Sequence, residues 1–409
     1  MTTVDLVWFN AGGGHRAAAQ ALEQVMSGPG SPWRVRKLNL TAVLDPSGLF
    51  RRVTGIEPED VYNKRLASGF TLGLAQELKL LQGAIRLGHS ALVQRLARHW
   101  EATKPDLVVS LIPNFNRALH DALALACPGV PFVTVLTDMA DHPPAFWMEP
   151  GTAQHLICGT AHAVQQALAA GFAPARLHRS SGMILRPDFY ASRITNPDDK
   201  AALRREAGLD AHTPSGLVLF GGTGSRVMKA ISKTLRDTPL VLMCGRNEAL
   251  AAELRAMPAA APRTVVGYTA DVAHWMQCAD FFIGKPGPGS LSEAVQQGLP
   301  VIVTRNAWTM PQERWNTDWV QAHGLGVVMR RFGQVDEAVR ELVAELPRYR
   351  SNVARMHNRA VFEVPQILQG IVQGTAQGLT HGSTKGISQD ITQGTVQAAA
   401  EALRQPSPA

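Results

Sequence analysis

Short apolar runs alternate with amphipathic stretches along most of this chain. Val4 to Phe9 reads as a strand, and Arg16 to Met26 as a helix with Ala17, Ala21 and Val25 on one face. Arg34 to Leu40, Leu107 to Ile112, Phe132 to Leu136 and His155 to Cys158 continue the strand series. The last is followed by a helix over Ala161 to Ala170, which Gly171 stops. Strands that alternate with helices in this way predict a parallel sheet with helices on both faces.

The pattern breaks between Asp188 and Asp210, where Asn196-Pro197-Asp198-Asp199 and many charges interrupt the apolar runs. It then restarts with strands at Leu217 to Phe220, Leu240 to Cys244, Thr264 to Val266, Phe281 to Ile283 and Val301 to Thr304. The expected fold class is therefore α/β: two Rossmann-like domains facing a cleft, over 1–190 and 191–365. Residues 366–409 differ in kind. From Gln369-Gly370 a glycine recurs every fourth residue at Gly374, Gly378, Gly382 and Gly386, and Gly394 resumes the beat. Each such glycine costs a helix about 1 kcal/mol relative to alanine. The segment reads as a mobile low-complexity tail, with a small-residue packing helix as the alternative.

At 409 residues the chain suits two domains of ordinary size. Its four cysteines are far apart and form no Cys-x-x-Cys pair, so neither a zinc site nor a disulfide framework is indicated. No apolar run reaches the roughly 18 residues a membrane span needs. The N-terminus enters a strand without the regions of a signal peptide, and a cytoplasmic location is expected. The formal charge of +7 suits an acidic partner. No RNA-binding signature or basic-aromatic stripe accompanies it, so no nucleic acid is expected.

Three glycine-rich corners each follow a strand and precede a helix: Gly12-Gly13-Gly14-His15, Gly221-Gly222-Thr223-Gly224-Ser225, and Gly287-Pro288-Gly289-Ser290. Free backbone N–H groups and the helix dipole make such corners sites for phosphate. In a doubly wound sheet they fall at the carboxyl ends of the strands, where ligands bind. Three of them suggest a nucleotide diphosphate held between two domains. The first corner fits a relaxed dinucleotide fingerprint. However, the second strand ends in Asn39-Leu40-Thr41 without the acid that would hold a ribose.

His15 opens a helix, where the dipole disfavours an imidazolium, so a neutral general base is expected; the alternative is a histidine that only hydrogen-bonds phosphate or backbone. Asp138 ends a strand and could orient His15, take a proton itself, or cap the following turn. Gly245, Arg246 and Asn247 follow a strand directly, and Arg246 could reach phosphates or form a surface ion pair. Ser290 with Glu293 fits a capping box, yet a glutamate one turn into that helix can also hold two ribose hydroxyls.

Taken together, Gly12 to Arg16, Thr137-Asp138 with His142-Pro143, Cys244 to Asn247, Lys285 to Ser290 with Glu293-Ala294, Gly298 to Pro300, and Gln312-Glu313 with Asn316 form an ordered set. This set resembles the GT-B glycosyltransferases that include the monogalactosyldiacylglycerol synthases and diacylglycerol glucosyltransferases. A more distant relative is the N-acetylglucosaminyltransferase of peptidoglycan precursor synthesis. The resemblance covers about residues 4 to 330. It implies a UDP-sugar donor, as co-substrate rather than cofactor, held mainly by the C-terminal half. Glu293 would hold the ribose, Gly287 to Ser290 with Thr223 to Arg226 the diphosphate, and Gln312, Glu313 and Asn316 the sugar. His15 would activate the acceptor hydroxyl, with inversion. No Asp-x-Asp motif occurs, so no essential metal is expected.

Three departures stand out: Pro286 where alanine is frequent, Trp315 where a small residue is usual and the sugar pocket could be reshaped, and the glutamine-glycine tail.

The acceptor implied is a lipid such as diacylglycerol, reached from an anionic membrane surface by a peripheral protein. Leu49-Phe50-Arg51-Arg52 and the stripe Leu74, Leu78, Leu81 and Ile85, with Lys79 and Arg86 beside it, fit such a contact; the stripe could equally be core. Two other readings remain at this level: a UDP-N-acetylglucosamine 2-epimerase-like enzyme, and a non-catalytic sugar-nucleotide sensor.

Overall fold

The computed structural model describes residues 1–10, 13–45, 52, 74–191 and 193–381. The strands form two six-stranded, wholly parallel sheets. The first has the order β2-β1-β3-β4-β5-β6, and the second β12-β11-β10-β7-β8-β9. In the first half β1 is Thr2–Trp8, β2 Trp33–Asn39, β3 Leu107–Ser110, β4 Phe132–Val135, β5 His155–Cys158 and β6 Leu177–Arg179. In the second, β7 is Gly216–Leu219, β8 Leu240–Met243, β9 Arg263–Val266, β10 Phe281–Gly284, β11 Val301–Thr304 and β12 Gly326–Met329.

Every residue of β3, β4, β7, β8, β10 and β11 is buried, as expected when helices cover both faces of a parallel sheet. The edge strands β6 and β12 are the two that the apolar pattern does not predict. Their residues are mostly half-buried, and the apolar signal weakens with that burial.

Each sheet reverses its strand order beside its first strand, between β1 and β3 and between β7 and β10. The register Val4↔Leu107 and Phe282↔Leu217 brings the carboxyl ends of these pairs level. A crevice for ligand opens there, and it is where the glycine corners after β1, β7 and β10 lie.

Two strands of chain join the halves, side by side. On the outward crossing Met183, Leu185 and Phe189 enter the core of the second half. On the return, Asn358 donates to Met183 O at 2.9 Å and Glu363 accepts from Ser181 N at 2.7 Å. The helix Ala360–His381 then runs back onto the first half, where Val364, Leu368 and Ile371 join the core beneath β1 and β3. The expected boundary at 365 therefore differs from the structure. Residues 366–381 are helical, and Leu368, Ile371 and Val372 dock on the first half, because these apolar positions find a prepared face that offsets the cost of the segment's glycines. Residues 382–409 lie outside the described residues. No helix among the described residues is long and apolar enough to cross a membrane.

Candidate active site

A cavity of about 1080 Å³ lies between the two carboxyl edges and is lined from both halves. On the first half, Gly13 takes a left-handed backbone (φ 81°) and starts the helix Gly14–Met26, which carries His15 into the cavity. Gly12 lies outside the described residues. His15 Nδ1 sits 2.8 Å from Leu111 O, across the β1–β3 switch, and 3.1 Å from Thr137 Oγ1. A carbonyl can only accept, so Nδ1 carries the proton and Nε2 keeps its lone pair. The ring packs on Phe9 (4.9 Å) and Trp147 (5.9 Å between centroids). Desolvation pushes the imidazole pKa down to about 4, against the raising influence of the Leu111 carbonyl. The neutral form expected from the sequence is thus held mainly by burial.

Asp138 lines the same cavity and is 8% exposed. Its Oδ2 accepts the indole N–H of Trp147 at 3.0 Å, and burial raises its pKa to about 7 despite that bond. Orientation of His15 comes from Leu111 and Thr137, not from Asp138. No helix follows Asp138 for it to cap. Trp147 is held in turn by Asp141, whose carboxylate accepts from the backbone N–H groups of Ala145, Phe146 and Trp147. Nothing in the sequence singles out Leu111, which acts through its carbonyl, or Trp147.

On the second half, the helix Pro288–Gln296 begins at Gly287 with no side-chain cap. Pro288 has no N–H to offer, and the amides of Gly289 and Ser290 face the cavity free of intrahelical partners. The capping box is not formed, because the helix starts at Pro288, two residues before Ser290, and Glu293 falls within its second turn. Glu293 instead lines the cavity with no hydrogen-bond partner among the described residues. Desolvation raises its pKa to about 7, with Arg186 nearby lowering it. Gly222 and Gly245 form the facing wall: a Cβ on Gly245 would meet Gly222 O at 2.1 Å, and Arg246 N donates to that oxygen at 2.9 Å. Lys285, at the end of β10, pairs with the 3%-exposed Glu313 at 2.7 Å, and both line the cavity with Gln312.

Several candidates are placed elsewhere. Thr223, Gly224 and Ser225 do not line the cavity; Thr223 O instead accepts from Asn247 at 3.2 Å. Asn247 caps the helix Glu248–Arg255. Arg246 stacks on Tyr268 at 4.6 Å; it forms no salt bridge among the described residues and does not line the cavity. Asn316 is fully buried and donates to Pro286 O at 2.7 Å, so it shapes the loop rather than touching its contents. Trp315 does not line the cavity either. It stacks on His162 of the first half at 4.4 Å, joining the two halves. Among the described residues no group of three or more potential ligands could hold a metal ion.

Two parallel Rossmann-like units with a cavity between their carboxyl edges constitute a GT-B fold. MurG of Acinetobacter baumannii superimposes with a TM-score of 0.56 at 12% identity, over 90% of this chain and all of that one. UDP-GlcNAc 2-epimerase of Neisseria meningitidis, bound to UDP-GlcNAc, gives 0.54 at 12%, over 92% and 100%. In sequence the chain is similar to monogalactosyldiacylglycerol synthases, the family its motifs resemble. It is 29% identical to "Probable monogalactosyldiacylglycerol synthase 2, chloroplastic" of Oryza sativa subsp. japonica over 64% of this chain and 57% of the relative. With monogalactosyldiacylglycerol synthase of Spinacia oleracea it shares 26% over 82% and 65%. The chain thus spans about six-tenths of the length of these relatives. No protein-family model matches it.

Proposed function

We propose that this protein is an inverting, metal-independent glycosyltransferase that moves a hexose, galactose or glucose, from a UDP-sugar to a lipid acceptor such as diacylglycerol. The observation that carries this reading is the pairing of two unlike faces on one cavity. One is an unpartnered, desolvated Glu293 beside a free helix N-terminus; the other is a base set among apolar side chains.

On the donor side, the Glu293 carboxylate takes the two ribose hydroxyls. The amides of Gly289 and Ser290, with the glycine wall at Gly222 and Gly245, take the diphosphate. Lys285, Gln312 and Glu313 face the hexose. On the acceptor side, His15 Nε2 accepts the proton of the acceptor hydroxyl while Nδ1–H stays on Leu111 O. The alkoxide oxygen then attacks the anomeric carbon from the face opposite the leaving UDP, and configuration inverts. The helix dipole and free amides meet the charge that develops on UDP. His15 is favoured over Asp138 as base because Asp138 is committed to Trp147 while Nε2 has no hydrogen-bond partner among the described residues. An epimerase needs no acceptor pocket, so the apolar wall of Leu78, Leu81, Phe9 and Phe115 favours transfer. The basic, partly apolar flank of the first half suits a peripheral protein on an anionic membrane surface.

The test is UDP release from a panel of UDP-sugars, with and without diacylglycerol in anionic vesicles. Release that requires the lipid is expected for one hexose. Donor-altering turnover without lipid would point to the epimerase, and donor binding without turnover to the sensor.

A further inference from the structure

We propose that an acyl chain of the lipid acceptor lies in a second hollow, the groove between the helices Leu74–Leu87 and His89–Thr103. This rests on the transfer reaction proposed above. The groove has a volume of about 570 Å³; Leu44, Ala84, Ile85, Leu92 and Phe115 form its apolar wall, and Gln94, Arg95 and Arg98 line its polar side. Leu44 and Phe115 also line the central cavity, so the two hollows share a wall. From that wall the base is two ring contacts away: Phe115 to Phe9 is 6.5 Å and Phe9 to His15 is 4.9 Å between centroids. A hydroxyl held at His15 therefore has an apolar path leading from it to the groove.

The helix Leu74–Leu87 supplies that path along one side. Leu78 and Leu81 face the cavity, and one turn on Ala84 and Ile85 face the groove. Spacing of three and four residues keeps these side chains on one stripe. Small residues at Ala84, Gly88 and Ala91 open the trough that larger ones would fill. Arg95, exposed at its edge, donates to Leu44 O. Leu80 and Leu87 on the same helix are 74% and 92% exposed. Leu87, next to Gly88 of the groove, lies where a chain could pass to a bilayer. A glycerol backbone at His15 would then leave one acyl chain in the groove.

Ala84 and Ala91 are exposed on helix surfaces, so Ala84→Trp and Ala91→Trp can fill the groove without disturbing the core. Binding of a diacylglycerol bearing a fluorescent polyene acyl chain is measured for the full chain and both variants, with thermal melts confirming that they fold. Each methylene expelled from the groove lowers affinity about fourfold, so either variant should bind at least about tenfold more weakly. In transfer assays the ratio of kcat/KM for dioleoylglycerol to that for dihexanoylglycerol should fall by a similar factor. If the unsubstituted protein does not bind the probe, or both variants bind it as well as the unsubstituted protein does, the groove holds no acyl chain. If binding behaves as expected but no diacylglycerol supports UDP release, the groove stands and the transfer reaction falls.

Discussion

The two walls of the cavity are built from the same local device, a strand, a glycine corner and a helix, and yet do different chemistry. After β10 the corner ends in a helix whose first amides are open and whose only acid, Glu293, has no hydrogen-bond partner among the described residues. After β1 the corresponding helix carries His15, whose one N–H is already committed to Leu111 O. The proposed donor wall thus offers open polar groups, and the proposed acceptor wall an imidazole lone pair set among aromatic rings with Asp138 beside it. What a glycine corner does depends on the side chain it lifts into the cavity and on what its neighbour strand presents.

This contrast can be broken most sharply at His15. His15→Ala should lower transfer by about 10²- to 10⁴-fold while UDP binding, read by calorimetry, survives. Parallel loss of both would mean that His15 belongs to the donor site. Next in size is the helix that returns to the first half. Leu368→Ala should cost about 2–5 kcal/mol in chemical denaturation, since Leu368 is fully buried under the acceptor wall's sheet. Removal of residues 382–409 alone should leave that stability unchanged; a loss would show those residues to be structural.

Glu293→Ala should weaken UDP binding by about 10- to 100-fold, through loss of two charge-assisted hydrogen bonds, and pyrophosphate binding far less. A collapse of thermal stability instead would reveal a capping role. The same residue gives a pH signature. Its pKa rises from 4.5 to about 7 on folding. Between those values the folded protein keeps a proton that the unfolded chain has released, so stability falls as pH rises across this window and stays lower above it. Glu293→Gln should therefore be more stable than the unsubstituted protein at pH 8, on the order of 1–2 kcal/mol after screening at a partly exposed site. Asp138 acts in the same sense, so the substitution removes only part of the slope. The smallest effect is expected where the walls meet: a double-mutant cycle between His162 and Trp315 should give a coupling of about 1 kcal/mol.

Much of this was legible in the residues. The six strands buried throughout announce themselves because a strand covered on both faces must be apolar; of the four edge strands, β2 and β9 are legible as well, and β6 and β12 are not. His15 and Glu293 could be singled out because helix starts after glycine corners are few and charge near them has consequences. Asn247, Arg246 and Asn316 sit in the same motifs but are turned to capping, stacking and loop support. Sequence spacing places a residue on a corner without saying whether its side chain points to the ligand or back into the turn. The stripe on Leu74–Leu87 shows the same limit: a helical period is identical whether it faces a core or a cavity. Leu49, Phe50 and Arg51 lie outside the described residues.

Local chemistry written in the chain therefore determined the parallel α/β halves, the glycine corners and the histidine and glutamate beside them, because hydrophobic period, glycine backbone freedom and helix dipoles act over a few residues. The tertiary structure alone decided the tautomer of His15, the protonation range of Asp138 and Glu293, the docking of residues 360–381 and the joining of two hollows at Leu44 and Phe115. Those depend on a carbonyl, a ring or an absence of water supplied by segments far away in sequence, and no local pattern encodes a neighbour that folding has yet to bring.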